Sequence, residues 1–122
     1  MQTIVITSTD SLWANAQKVG SYSHSTINSN LSDVGFIHAT KPAQTVAMLN
    51  RHFTDRNDII LLLTNLDAVD SEVKFEKPLS GKDELFPHIY GPLNINAVYA
   101  TIQPKKNSSD TYIEPEELVK AQ

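Results

Sequence analysis

The chain contains no cysteine and no long apolar run. Without cysteine, a disulfide framework, a thiolate metal site and a cysteine nucleophile are all excluded. The longest aliphatic run is IILLL at 59–63, far short of the roughly 20 apolar residues that a membrane-spanning helix needs. The N-terminal stretch MQTIVITSTD also lacks the basic start and long apolar core of a secretory signal. We therefore expect a cytoplasmic protein without a membrane partner.

Basic residues are few and scattered. The 10 lysines and arginines are outnumbered by 14 aspartates and glutamates, which gives a net charge of -4. Affinity for an extended nucleic acid depends on a basic face that neutralises phosphates, so this class of partner is excluded. A single nucleotide in a local pocket is still compatible with the composition. A protein partner is neither indicated nor excluded.

Periodicity predicts five strands and two main helices. The unbroken run DIILLLTNL at 58–66 is typical of a strand buried on both faces, at the centre of a sheet. The segment order favours an α+β fold. We expect one globular domain at 1–103, followed by a polar C-terminal tail at 104–122 in which a short helix could begin near Pro115. The predicted strands are 3–7, 35–40, 58–66, 73–77 and 97–102, and the predicted helices end near Val19 and Phe53.

Two other segments are predicted to be loops. Residues 21–33, SYSHSTINSNLSD, are polar and favour a long loop at the rim of a pocket, with at most a short strand near Tyr22. Residues 86–94, FPHIYGPLN, are bulky and stiff for a connecting loop. We expect this second loop to form one wall of a small-molecule pocket whose opposite wall is GFIHAT at 35–40.

His38 and Thr40 are the first candidate site residues. They stand at a strand-to-helix junction, where a histidine can hold a sugar hydroxyl or an amide, and where a threonine and free helix N–H groups can receive an anion. The alternative is a buried histidine whose hydrogen bonds are satisfied by the backbone.

His88, Tyr90 and Gly91 are the second set of candidates. His88 and Tyr90 point to the same side of an extended backbone, and the flanking prolines and Gly91 restrict their motion, which lowers the entropy cost of holding a ligand. The alternative is a rigid turn in which Tyr90 only packs. We expect side chains 38, 40 and 90 to face one shared cavity.

Glu76 and Arg51 complete the candidates derived from position. Glu76, on the polar face of its strand, could stabilise a developing positive charge, although such glutamates are commonly solvated surface. Arg51 could clamp a phosphate, or it could complement the dipole of its helix. The four histidines lack a recognised metal-ligand spacing, so no metal is expected.

Several of these segments together resemble the small bacterial proteins grouped as domain of unknown function family 952. The resemblance rests on GFIHAT, on Asn50, Arg51 and Phe53, on the VKFE strand, and on FPHIYGPLN leading into AVYA. It extends from Trp13 to about Tyr99.

The resemblance implies a bent, split, mostly antiparallel sheet of the ADP-ribosyltransferase type. In that group a strand histidine followed by a small residue and Thr or Ser lines the NAD pocket, which His38, Ala39 and Thr40 match. Tyr90 or Tyr22 would then stack on the nicotinamide ring. Glu76 would be the catalytic carboxylate beside the catalytic His38.

Three functions are consistent with these patterns. The first is ADP-ribosyl transfer from NAD, or a related reaction on a nucleotide-like ligand, with NAD as a substrate and no obligatory cofactor. The second is a non-catalytic module that senses a nucleotide or another metabolite in the same cleft. The third is a protein-interaction domain that uses the aromatic segment at 86–94.

Overall fold

The computed structural model describes residues 1–78, 81 and 83–122, and it confirms an α+β fold with open, mostly antiparallel sheets. The two main helices that the sequence predicts are present, as α1 (Asp10–Val19) and α3 (Pro42–His52). The strands of the described residues are β1 (Thr3–Thr9), β2 (Ser21–Tyr22), β3 (His24–Thr26), β4 (Ser29–Asn30), β5 (Ile37–His38), β6 (Ile59–Asn65), β7 (Glu72–Glu76), β8 (Phe86–Tyr90), β9 (Leu93–Asn94) and β10 (Val98–Ile102), and the α-helices are α1 (Asp10–Val19), α2 (Leu31–Val34), α3 (Pro42–His52) and α4 (Glu116–Ala121).

Strand β6 is the centre of the first sheet. It lies between β1 and β10 and pairs antiparallel with both of them. Every residue from Ile59 to Thr64 is buried, as the unalternating aliphatic run predicts. A strand covered on both faces has no polar side to show, so consecutive apolar residues are what this position requires.

The two faces of this sheet support two separate hydrophobic clusters. Ile60 and Leu62 pack on one face with Trp13 of α1, whereas Leu61 and Leu63 pack on the other with Leu49 of α3. Alternate residues of one strand point to opposite faces, which explains how a single run supplies both clusters.

A second sheet has the order β5-β8-β7, with antiparallel pairing throughout. Ile37 and Ile89 are paired and turn into the first hydrophobic cluster. His38 and His88 are the next pair along these strands, so both imidazoles emerge on the opposite face. This sheet therefore separates the core from a polar face that carries the candidate histidines.

The prediction that residues 86–94 form a loop is wrong, because β8 is the central strand of this sheet. Pro87 lacks the N–H that a central strand normally donates. It is tolerated because β5 ends at His38, and the carbonyl of Pro87 accepts the one remaining hydrogen bond, from the N–H of Ala39 at 3.1 Å. The segments 35–40 and 86–94 are thus paired neighbours rather than opposite walls.

Local sequence determines where the two main helices begin and end. Thr9 caps α1 by accepting the N–H of Leu12 at 3.2 Å, and Gly20 ends the helix with a φ of 100°. Pro42 lies in the first turn of α3, where a missing N–H costs nothing. Both helices were predicted on these grounds.

Residues 21–33 contain more regular structure than the predicted loop. They form three elements, namely strand β2, the β3–β4 hairpin and the short helix α2. Strand β2 pairs with β9. Each of these elements has two to four residues. Elements this short do not reveal a hydrophobic period, so the sequence pattern missed them.

Residues 104–122, predicted as a polar tail, contribute two side chains to the second hydrophobic cluster. Tyr112 and Leu118 are buried there, and Leu118 belongs to α4, which begins after Pro115. The side chain of Asn50 donates to the carbonyl of Tyr112 at 3.1 Å and accepts its N–H at 2.7 Å.

None of the helices in the described part of the chain is long and apolar enough to cross a membrane.

Candidate functional site

A cavity of about 590 Å³ lies beside the polar face of the second sheet. Strands β1, β5 and β8 contribute to its wall together with the β3–β4 hairpin and the last turns of α3. It contains four of the eight candidate residues, namely His38, Thr40, Arg51 and His88. The lining residues are Val5, Thr7, Ser25, Thr26, Ile27, Asn28, His38, Ala39, Thr40, Met48, Arg51, His52, Phe53, Pro78, Phe86 and His88.

His38 is held by Ser25 of the β3–β4 hairpin. The Nδ1 atom of His38 lies 3.0 Å from the Ser25 hydroxyl and 3.2 Å from the Ser25 carbonyl oxygen. The same hydroxyl donates to the carbonyl of Phe36 at 2.6 Å, so it can only accept from His38. Nδ1 must therefore carry a proton, and Nε2 is the unprotonated nitrogen of the neutral ring.

His88 is held by Glu76 of the neighbouring strand β7. Its Nδ1 atom lies 2.9 Å from Oε1 of Glu76, to which Tyr90 also donates its hydroxyl. The ring of Phe36 stacks on His88 with centroids 4.1 Å apart and an interplanar angle of 22°. His88 is only 4% exposed. The carboxylate of Glu76 at the edge of the imidazole and the ring of Phe36 on its face together fix its orientation.

The imidazoles of His38 and His88 are neighbours on the same face of the sheet. Their ring centroids are 5.7 Å apart, in an edge-on arrangement. Neither Nε2 atom has a hydrogen-bond partner among the described residues. The side chain of His38 is exposed, and Nε2 of His88 is not fully buried, because the single buried side-chain nitrogen or oxygen without a partner in that part of the chain is Oγ1 of Thr7.

The ionisable groups around these rings have distinct protonation states. Partial burial lowers the pKa of His38, which favours the neutral imidazole. Hydrogen bonds from Tyr90 and then from His88 lower the pKa of Glu76. The same hydrogen bond to Glu76 raises the pKa of Tyr90, which keeps the phenol protonated as a donor.

The charged lining of the cavity is cationic. Arg51 and His52 reach it from the end of α3, and no described lining residue is an aspartate or a glutamate. Arg51 makes no salt bridge within the described residues, whereas the other arginine, Arg56, is paired with Asp58 at 2.8 Å. An unpaired guanidinium on an apolar wall is suited to a phosphate or a carboxylate.

Thr40 is buried at the cavity wall and its hydroxyl proton is already engaged. Thr45 donates to the carbonyl of Lys41 at 3.0 Å, so the 2.8 Å contact between the two threonine hydroxyls is a donation from Thr40. Gln44 accepts the N–H of Lys41 at 2.8 Å, so the chain itself caps the start of α3. A ligand anion would therefore find its donors on Arg51 rather than at this helix start.

Four candidate residues do not line the cavity. Glu76 and Tyr90 form the hydrogen-bond network behind His88, and Tyr90 also lies under Lys74, whose Nζ is 4.9 Å from the ring centre. Gly91 forms the turn after β8, against Ser71. Tyr22 is 1% exposed in the first hydrophobic cluster, where it cannot stack on a ligand in this cavity.

Ser25 and Phe36 hold the two imidazoles, and the sequence patterns assigned neither of them to the site. A period-two pattern could have revealed Phe36, because phenylalanine stands two positions before each histidine, in FIH at 36–38 and FPH at 86–88. Ser25 had no such indication, since its role depends on where the hairpin folds.

Within the described residues, no group of three His, Asp or Glu side chains is placed to hold a metal ion.

Replacing Tyr22 with phenylalanine should destabilise the fold by about 1–3 kcal/mol, because the buried Ser8 hydroxyl loses its donor. The Tyr22 hydroxyl donates to Ser8 Oγ at 2.8 Å, and both residues are at most 1% exposed. Urea denaturation measures the change. Tyr99→Phe is the control, since Tyr99 is 46% exposed and its hydroxyl lies 2.9 Å from Thr3 Oγ1. Equal losses in the two variants would contradict the prediction.

The comparisons with known proteins concern the fold and the family. The crystal structure of protein CC0527 from Caulobacter crescentus, a structural genomics target, has a TM-score of 0.81 at 22% identity, covering 97% of this chain and 99% of that chain. Its solution NMR structure has a TM-score of 0.74 at 22% identity, covering 91% of each chain. At this identity the likeness shows the fold alone.

The sequence comparison is more specific. No curated protein matches this chain. The family described as "Protein of unknown function (DUF952)" matches residues 7–101, which include α1, α3, β6 and all the strands of the second sheet. The chain therefore belongs to the DUF952 family of proteins of unknown function.

Proposed function

We propose that the cavity binds a small phosphate-bearing ligand of the nucleotide class, with NAD as one candidate substrate. The observation that carries the proposal is the charge of the lining. Arg51 can donate several hydrogen bonds to an anion, and no carboxylate among the described lining residues competes for it. A planar guanidinium binds phosphate groups through paired, charge-assisted hydrogen bonds.

The size and composition of the cavity support a ligand larger than an inorganic ion. Its volume of about 590 Å³ is within the roughly 300–1,000 Å³ typical of small-molecule sites. Ile27, Met48 and Phe53 also line it. A lining that combines apolar side chains with a guanidinium suits a molecule that has both a ring and a phosphate.

ADP-ribosyl transfer is the catalytic form of this proposal. The motif His38, Ala39 and Thr40 resembles the NAD-binding histidine strand of the ADP-ribosyltransferases. All three of its residues line the cavity. Glu76 is turned toward His88, so it would act on a substrate through that imidazole rather than directly. Binding without turnover would instead define a non-catalytic nucleotide sensor with the same cavity.

Replacing Arg51 with glutamine should weaken the binding of AMP, ADP-ribose or NAD by about 10-fold or more, since a hydrogen bond to a charged group contributes about 1.5–3 kcal/mol. Isothermal titration calorimetry at constant salt measures the dissociation constants. Lys18→Gln is the matched control, because it removes one positive charge from the exposed last turn of α1. Its dissociation constants should stay within about twofold of the parent.

Two outcomes would contradict this proposal. One is the absence of binding by all three phosphate ligands, and the other is an equal loss of affinity in the two variants. Nicotinamide release during incubation with NAD, measured by mass spectrometry, separates transfer from sensing. If no nucleotide binds but Tyr90→Ala abolishes binding to a protein partner, the alternative of a protein-interaction domain is supported.

A further inference from the structure

The two cavity imidazoles share one orientation, although different elements hold them. In both rings Nδ1 donates its proton to a fixed acceptor, which is Ser25 for His38 and Glu76 for His88. In both rings Nε2 is left without a partner among the described residues. Two such nitrogens in a cavity that Arg51 also lines are more than anion binding requires, because a bound phosphate needs donors and the neutral His38 Nε2 is an acceptor.

Resting on the proposed phosphate-bearing ligand, we propose that His38 and His88 form a general acid–base pair that hydrolyses a phosphodiester bond, with a nucleoside cyclic phosphate as the substrate class. The ring centroids are 5.7 Å apart. Hydrogen bonds of about 2.7–3.0 Å from each Nε2 atom can therefore reach an attacking water and a leaving oxygen on one phosphate. Arg51 lines the same cavity, from which its guanidinium can hold the nonbridging oxygens.

The reaction balances without an added oxidant or co-reactant. Nε2 of His38 takes a proton from a water molecule, whose oxygen forms a new bond to phosphorus. The bond from phosphorus to one ester oxygen breaks, and Nε2–H of the protonated His88 gives its proton to that leaving oxygen. The products are a phosphomonoester with one new hydroxyl group and a pair of histidines that returns to its starting state by exchanging one proton with water.

The environments of the two rings assign their roles. Partial burial lowers the pKa of His38, so this ring is neutral and Nε2 can accept a proton. A positive charge on His88 is balanced by the Glu76 carboxylate, which already accepts its Nδ1–H at 2.9 Å. Glu76 is thus a positioning residue, and Phe36 fixes the plane of His88 by stacking at 4.1 Å.

The pair fits a phosphodiester better than the glycosidic bond of NAD. Nicotinamide leaves as a neutral base and needs no proton, whereas a sugar hydroxyl leaves as an alkoxide unless an acid protonates it. A developing oxocarbenium ion would favour a carboxylate facing the ligand. Among the described lining residues there is none, since Glu76 is bound behind His88.

The test measures the hydrolysis of nucleoside 2′,3′-cyclic and 3′,5′-cyclic monophosphates by the full chain, with NAD as a parallel substrate. His38→Asn and His88→Asn should each reduce kcat by about 10²–10⁴-fold, the usual contribution of one acid or base. Asparagine keeps an N–H donor for Ser25 or Glu76, which protects the fold. His24→Asn is the matched control, because His24 does not line the cavity and should keep full activity.

Glu76→Gln separates positioning from structure. It should lower kcat while leaving KM and the affinity for AMP unchanged, because glutamine can accept from His88 but cannot balance its charge. Circular dichroism establishes that each variant is folded. Hydrolysis that survives in folded His38→Asn or His88→Asn would overturn the inference.

The inference and the proposed function can fail separately. Binding of the cyclic phosphates without hydrolysis by the parent chain would overturn the acid–base pair and leave the proposed phosphate site intact. Nicotinamide release with no cyclic phosphate hydrolysis would also overturn it, in favour of ADP-ribosyl transfer. No binding of any phosphate ligand would overturn both.

Discussion

Replacing Leu118 with alanine should lower the free energy of unfolding by about 2–5 kcal/mol, the cost of removing a buried leucine side chain. Leu118 is 0% exposed and packs in the second hydrophobic cluster together with Leu49 and Leu61. Strand β6 is paired on both sides and α3 packs on the same cluster, so these elements cannot collapse fully into the space left. Chemical denaturation followed by circular dichroism measures the loss.

Val119→Ala is the matched control for this experiment. Val119 is the next residue of the same helix but is 54% exposed, so its truncation should change stability by less than about 0.5 kcal/mol. A comparison within one helix cancels any difference in how well α4 itself forms. Similar small effects in both variants would mean that α4 does not belong to the folded core.

Replacing Gly91 with alanine should destabilise the chain by more than the roughly 1–3 kcal/mol that a strained backbone costs by itself. Gly91 has a φ of 154°, and a Cβ atom built there would lie 2.5 Å from Oγ and 3.0 Å from Cβ of Ser71. Ser71 cannot move freely, because its hydroxyl donates to the carbonyl of Pro92 at 2.8 Å. Strain and steric overlap therefore add at one position.

Two comparisons divide this effect into its causes. Gly20→Ala introduces a side chain at a φ of 100° with no atom within 4 Å of the new Cβ, so it measures backbone strain alone. Gly91→Ala in a Ser71→Gly background removes the overlap and should cost less than in the parent. Equal losses for Gly91→Ala and Gly20→Ala would show that Ser71 imposes no constraint. The position matters for the site because this turn follows β8, which carries His88.

The elements with strong local patterns were predictable. The aliphatic run of β6 indicated a strand covered on both faces, and Gly20 together with Thr9 indicated the two ends of α1. In each case the interaction that determines the structure lies within a few residues along the chain, so it is visible in the sequence. The α+β class followed from the order of such elements.

Strand β8 shows where local patterns fail. Two prolines and a glycine within nine residues argue against a strand, yet β8 is paired on both sides. What allows it is the length of β5, which ends beside Pro87 and thus needs no N–H from it. That length is a property of a distant segment, and a pattern of neighbouring residues does not contain it.

The candidate site divides in the same way. Residue type and position were enough to select His38, Thr40, Arg51 and His88. They did not show which atoms of these residues face the cavity. Tyr22 was selected through the family resemblance, as an aromatic residue that could stack on a ring, and the fold turns it into the core instead. The orientation of a side chain depends on what packs against it, so residue type alone could not separate these cases.

By itself, the sequence determined the fold class, the main helices, the central strand and the residues that could carry chemistry, because each depends on short-range periodicity or on side-chain chemistry. The tertiary structure alone decided that His38 and His88 are paired across adjacent strands and that Ser25 and Glu76 hold their Nδ1 atoms. The reason is physical. Strand pairing joins residues 50 positions apart, and hydrogen-bond direction is fixed only when both partners are in place.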